Sequence, residues 1–153
     1  MSENKTLIAY ATRGGTTEAY AKAISSVLID EFKMQADLVN LKKTSDPDLT
    51  HYHNIIVGAG IKMFRMHKEG SKFLEKKNFE EKKVAIFLSS LVPRDEAIKK
   101  YVDVILNKNT TLKPIAVDVF GGRMRILGRT SQDMTDIEKA KEWIRKIAEH
   151  FRS

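Results

Sequence analysis

Residues Thr12-Arg13-Gly14-Gly15-Thr16-Thr17 put three hydroxyls and two glycines between a short apolar run and a helix-like stretch. That set of groups suits a phosphate ester. Amides at the start of a helix have no acceptor within the helix and carry the positive end of its dipole. Glycine lets the main chain approach an anion closely, and threonine hydroxyls add donors at the rim. The competing reading is an ordinary glycine-rich turn with Thr17 as an N-cap. Other phosphate loops are excluded by composition. A nucleoside-triphosphate loop ends in Gly-Lys-Ser/Thr, whereas Thr16-Thr17-Glu18 follows the glycines here. A dinucleotide fingerprint needs Gly-x-Gly-x-x-Gly and an acid at the end of the next strand, where this chain has Val39-Asn40-Leu41. A phosphoacceptor receiver needs an aspartate at the end of the third strand, and Gly58-Ala59-Gly60 stands there.

The elements that must position this loop alternate. Apolar runs at Thr6–Ala11, Ala36–Leu41, Asn54–Ala59, Lys83–Ser89 and Pro114–Phe120 read as strands. Between them Thr17–Lys33, His67–Lys77 and Arg94–Leu106 carry apolar residues at helical spacing, and Thr44–Thr50 reads as a turn or short helix. A last helix begins with Thr135 as the expected N-cap and Glu138 three residues on, and its apolar stripe runs from Ile137 to Phe151. Continuously apolar strands separated by helices imply a parallel sheet covered on both faces. The fold class is therefore α/β, a three-layer sandwich around a five-stranded parallel sheet in the order 2-1-3-4-5. Ligands of such sheets bind beyond the carboxyl ends of the strands. The loops that matter then follow Ala11, Ala59, Ser89 and Phe120.

A chain of 153 residues fits a single domain, 1–153, with one substantial core. It contains no cysteine, which removes disulfides, thiol catalysis and cysteine-held iron–sulfur clusters, so any redox chemistry must come from a bound cofactor. No apolar run approaches the length of a membrane span, and Met1–Lys5 is polar, so a cytoplasmic location is expected. The net charge of +7 favours anionic partners. His51 and His53 lack further metal-ligand types nearby and read as a solvent-facing turn. The mixed-sign runs Glu75–Lys77 and Glu80–Lys83 read as solvated surface rather than a nucleic-acid track. Arg123, Arg125 and Arg129 either meet an acidic redox protein or anionic substrate or form a flexible basic loop, and the sequence leaves the two level.

Tyr10-Ala11-Thr12-Arg13-Gly14-Gly15-Thr16-Thr17-Glu18, followed by Ala21, resembles the FMN-phosphate motif of the flavodoxins. It departs at Ala9 and Ala23, packing positions where larger aliphatics are usual. Val57-Gly58-Ala59-Gly60-Ile61-Lys62 with His67, Phe120-Gly121-Gly122-Arg123-Met124, and Thr135-Asp136 through Trp143-Ile144-Arg145 are similar to the flavodoxin-type protoporphyrinogen oxidase branch. That branch carries a long basic and aromatic insertion before its last helix, whereas here about a dozen residues separate Gly121 from Asp133.

The resemblance implies a flavodoxin-like fold, FMN as cofactor, and electron transfer. Thr12, Thr16 and Thr17 would donate hydroxyls to the phosphate, and Arg13, Gly14 and Gly15 their amides. The loop Gly58, Ala59, Gly60, Ile61, Lys62, Met63, Phe64 and the loop Ser89, Ser90, Leu91, Val92 would enclose the flavin ring. Flavodoxins often keep a glycine in the first of these two loops, where a peptide turns to meet the half-reduced ring, and Lys62-Met63-Phe64-Arg65 has none. The half-reduced flavin is therefore expected to be less favoured than in a typical flavodoxin, with Lys62 and Arg65 favouring an anionic, fully reduced one. No residue is assigned as catalytic. An electron carrier with acidic redox partners is the favoured function, and a protoporphyrinogen-oxidising flavin dehydrogenase is the alternative.

Overall fold

The computed structural model describes residues 5–12, 15–62, 64–126 and 129–152, with 124–126 and 129–132 given by their backbone alone. Strand β1 (Lys5–Ala11) leads into helix α1 (Thr16–Asp30), β2 (Gln35–Asn40) and β3 (Asn54–Lys62). A two-residue strand β4 (Arg65–Met66), helix α2 (Lys68–Lys76) and β5 (Lys83–Ser90) follow. Helices α3 (Arg94–Ala97) and α4 (Asp103–Lys108) are joined by a π-helical segment, Ile98–Val102. Strand β6 (Pro114–Gly121), the ribbon β7 (Arg123–Ile126) and β8 (Arg129–Asp133), and helix α5 (Ile137–Arg152) complete the order.

Five parallel strands stand in the order β2-β1-β3-β5-β6, the arrangement read from the sequence. Strand β4 raises the sheet to six by folding back antiparallel on the end of β3, with Ile61 opposite Met66 and Lys62 opposite Arg65. Alternation within each strand feeds two cores. Leu7, Ala9, Ala11, Ile55, Val57 and Leu88 face α2, α3 and α4, while Ile8, Tyr10, Ile56, Phe87 and Phe120 face α1 and α5. Three local expectations change. Strand β3 runs on to Lys62, so Gly58, Ala59 and Gly60 lie inside the sheet and the segment expected as a loop from Gly58 is strand as far as Lys62. Asp136, not Thr135, caps α5, its carboxylate accepting the Lys139 amide at 3.2 Å. The segment after β6, for which the sequence left a flexible basic loop and a partner-binding cluster level, contains an antiparallel strand pair, β7 with β8.

Gly58 shows how the sheet excludes a side chain to keep its packing. A Cβ there would stand 2.1 Å from Cζ of Phe87. The Phe87 ring stacks on Phe120 at 5.5 Å between centroids, and Phe120 meets Trp143 of α5 edge-on at 5.5 Å. We expect Gly58→Ala to cost about 2–3 kcal/mol in urea unfolding, as overpacking of a filled core does. The Gly58→Ala, Phe87→Leu double variant should recover part of that loss. Wild-type stability in the single variant would contradict this packing role.

Candidate functional site

The carboxyl ends of β1, β3, β5 and β6 bring the candidate loops together. Gly15 is the N-cap of α1 and adopts a left-handed conformation, φ 82°, which glycine takes at no steric cost. Its amide donates to Oγ1 of Thr12 at 3.2 Å, closing the turn and leaving the Thr12 proton free to donate elsewhere. A glycine cap has no side chain to offer the helix. The first intrahelical bond runs from the Ala19 amide to the Gly15 carbonyl at 3.0 Å. The amides of Thr16, Thr17 and Glu18 precede it and have no acceptor within the helix.

Two buried hydroxyls stand behind that turn. Thr17 is fully buried, and its Oγ1 lies 2.5 Å from Oγ of Ser89 at the end of β5. Gly60 lies alongside, where a Cβ would approach Thr17 Oγ1 to 3.1 Å. Ser90 is held twice: its hydroxyl accepts the Val92 amide at 2.9 Å, and its carbonyl accepts the Gly122 amide at 3.0 Å. The Gly122 carbonyl in turn accepts the Met134 amide at 2.8 Å. Thr12, Gly15, Thr16, Thr17, Gly60, Ser89 and Ser90 are thus gathered at the carboxyl ends of the inner strands.

The second loop is more exposed. Ile61 packs against the core beneath α2, and Lys62 and Arg65 face each other across the β3–β4 turn, both exposed. Phe64 is 71% exposed, sits at φ 63° and lies under the Lys100 ammonium, 5.0 Å from the ring centroid. A left-handed phenylalanine costs on the order of 1 kcal/mol, so the strain expected of a glycine-free loop resides at this residue. Leu91 and Val92 are half-buried, with Val92 packed on the core. Arg13, Gly14 and Met63 lie outside the described residues, as do the side chains of Arg125 and Arg129.

Three contributors were not legible in local sequence. His67, the first residue of the expected helix 67–77, caps α2 by accepting the Glu69 amide through Nδ1 at 3.3 Å. Tyr20, read only as part of an apolar stripe, is fully buried; its hydroxyl donates to the Gly121 carbonyl and accepts the Asp136 amide at 3.1 Å. Burial pushes its pKa up, which keeps the phenol protonated as a donor. Arg123 reaches back to the first loop, with Nη2 at 4.0 Å from where a Cβ on Gly15 would sit.

The sequence profile described as Flavodoxin domain matches residues 7–146. The chain belongs to the flavodoxin family. Among solved structures, this family member resembles oxidised Flavodoxin 2 from Bacillus cereus, with a TM-score of 0.62 and 23% identity over 95% of this chain and 99% of that one. It also resembles a flavodoxin from the domain Archaea, with a TM-score of 0.64 and 20% identity over 97% and 99% of the two chains. These identities speak for the fold. A 72-residue stretch is 33% identical to protoporphyrinogen IX dehydrogenase [quinone] of Escherichia coli (strain K12), covering 47% of this chain and 39% of that relative. The family's cofactor is FMN, and the donor set fits it: amides at an uncapped helix start and adjacent hydroxyls are what a phosphate monoester requires.

Tyr20 ties α1 to both ends of the segment carrying the β7–β8 ribbon. We expect Tyr20→Phe to lower stability by about 1–2 kcal/mol in urea unfolding, because the part-buried Gly121 carbonyl and Asp136 amide lose their partner. An unchanged midpoint would remove Tyr20 from that role.

Proposed function

We propose that this flavodoxin holds one FMN non-covalently through its 12–17 loop and carries electrons between protein partners. The observation that carries the reading is the start of α1, a 15-residue helix that opens on a left-handed glycine with its first-turn amides uncapped. Thr12, Thr16 and Thr17 would donate hydroxyls to the phosphate, and Arg13, Gly14 and Gly15 complete the loop around it. Ser89 sets the direction of the Thr17 hydroxyl: when Ser89 donates to Thr17, the threonine proton remains available to the ester.

Bound FMN supplies single-electron and paired-electron transfer to a chain that has no cysteine of its own. Gly60, Ile61, Lys62, Met63 and Phe64 would border the ring on one side, with Ser89, Ser90, Leu91 and Val92 on the other. Gly58 and Ala59 support that first border from within the sheet rather than lining it. Lys62 and Arg65 place two like charges opposite one another in a strand pair, an arrangement that costs energy unless negative charge develops nearby. They raise the potential of a flavin that becomes anionic on reduction. The surplus of seven positive charges would steer acidic docking surfaces of redox partners. Among the described residues no helix is long and apolar enough to cross a membrane. We place the protein in the cytoplasm as one flavodoxin domain over residues 1–153.

A second reading rests on the 33% match to the E. coli dehydrogenase, whose name joins protoporphyrinogen IX to a quinone. In that reading the same flavin oxidises a porphyrinogen. The match spans under half of either chain, and the segment between Gly121 and Asp133 is a short ribbon, so the carrier is favoured. Turnover of protoporphyrinogen IX with a quinone would reverse the preference.

The purified protein should be yellow and release about one FMN per chain on heating. Titration of the apoprotein should quench FMN fluorescence to a stoichiometric end point. A colourless protein that leaves added FMN fluorescence unchanged would refute the reading. Replacing Lys62 and Arg65 together by Gln should lower the midpoint potential of the bound flavin by tens of millivolts at low salt, and less at high salt. An unchanged potential would detach these cations from the flavin.

A further inference from the structure

Strand β6 is an outer strand of the sheet, and one side of its backbone faces away from β5. Backbone groups of successive strand residues point to alternate sides. The Gly122 amide, just past the strand, bonds inward to the Ser90 carbonyl at 3.0 Å, so Val117 and Val119 turn their groups outward. Side chains meet them there. Lys139 of α5 donates from Nζ to the Val119 carbonyl at 3.0 Å. One oxygen of the Asp118 carboxylate accepts the Val119 amide at 2.8 Å and Nε of Arg94 at 3.0 Å. Arg94 also donates from Nη2 to the Val117 carbonyl at 3.3 Å and pairs with Asp95 at 3.1 Å. Arg94 belongs to α3 on one face of the sheet and Lys139 to α5 on the other, so the edge is clasped from both sides.

The amino half of the same edge is open. Ile115 is 45% exposed and stands beside a groove of about 540 Å³ lined by Ile98, Lys99 and Val117. An apolar floor next to an outward-facing strand offers an extended segment both a ladder of backbone partners and a seat for alternate side chains. A second copy of this chain brings the same half-open edge. Two copies related by a two-fold axis beside Ile115 would set Ile115 of each over the groove of the other. Pairing that continued along the carboxyl half would have to displace a carboxylate, an ammonium and a guanidinium from their hydrogen bonds. It would also take those charges out of water, and a neutral backbone ladder does not recover that cost.

We infer that Arg94, Asp118 and Lys139 form a guard that holds the β6 edge closed against a second copy of this chain. The guard occupies the outward groups of Val117 and Val119 with charged side chains that water solvates and a neighbouring strand does not. The inference goes beyond the flavin reading and does not depend on it. Strand β6 ends at Gly121, whose carbonyl accepts the Tyr20 hydroxyl. A closed edge therefore also keeps that flank of the candidate site clear of a neighbouring chain. The expected consequence is a chain that stays single until the two cations of the guard are removed.

The test is the mass of the 153-residue chain in solution, by light scattering on size-exclusion fractions from about 10 µM to about 1 mM. Wild type should stay at one chain throughout. The Arg94→Ala, Lys139→Ala double variant should rise to about two chains as concentration increases. Both positions are exposed, so its far-UV circular dichroism should remain that of wild type. Adding Ile115→Lys puts a cation on the open half of the edge and should return the double variant to one chain. A double variant that stays single overturns the inference. Association that Ile115→Lys leaves in place also overturns it, because the contact then lies elsewhere. A wild type that associates as readily as the double variant overturns it too. Should the double variant unfold, amide hydrogen exchange of wild type carries the test. The Val119 amide should exchange at least about 10-fold more slowly than the Ile115 amide, and equal rates would show that no guard holds the edge.

Discussion

A parallel strand cannot follow its neighbour through a tight turn, so the chain must cross the sheet between one strand and the next. Here β1 pairs in parallel with β2 on one side and β3 on the other. The chain therefore leaves β1 for α1 in one direction and returns to the other side of β1 through β2, opening a crevice beyond the end of β1. Everything proposed for function lies around that crevice. The helix start that follows β1, the end of β3 and the end of β5 are neighbours because of strand order, although 72 residues separate Thr17 from Ser89.

The described part of the site offers mostly neutral donors. Gly15 leaves α1 uncapped, Thr12 holds the turn, and Ser89 orients Thr17. Each is a device for presenting donors without filling the space in front of them. Among the described residues, the nearby cations stand at its rim: Lys62 and Arg65 at the β3–β4 turn and Arg123 at the start of the ribbon. Division of labour follows from physics. Neutral donors at a helix start bind an anion with geometric precision. In the proposed reading, cations at the rim would tune potential and approach.

Much of this was legible in residue order, and the exceptions share a cause. The strands announced themselves as apolar runs, and α5 as a stripe from Ile137 to Phe151, because burial on a sheet imposes a period that a sequence displays. The 12–17 loop was legible because glycine and threonine at a strand–helix junction limit what the loop can do. Local pattern did not show that β3 continues through Gly60 to Lys62, since glycines there look like a loop until the partners on both sides are known. The ribbon was equally hidden: its arginines leave a partner-binding cluster and a flexible basic loop level, and the β7–β8 pairing becomes apparent only with Gly122 bonded to Ser90. Tyr20 looked apolar because its ring is; its hydroxyl finds acceptor and donor more than a hundred residues away. Long-range polar contacts leave no periodic trace.

The central claim is that the start of α1 grips the phosphate of FMN. Amide NMR of the apoprotein on adding one equivalent of FMN, with riboflavin as comparison, addresses it residue by residue. The account predicts that the amides of Gly15, Thr16, Thr17 and Glu18 shift with FMN far more than with riboflavin, while residues bordering the ring respond to both. FMN binding that leaves those four amides where they stand in the apoprotein would contradict it.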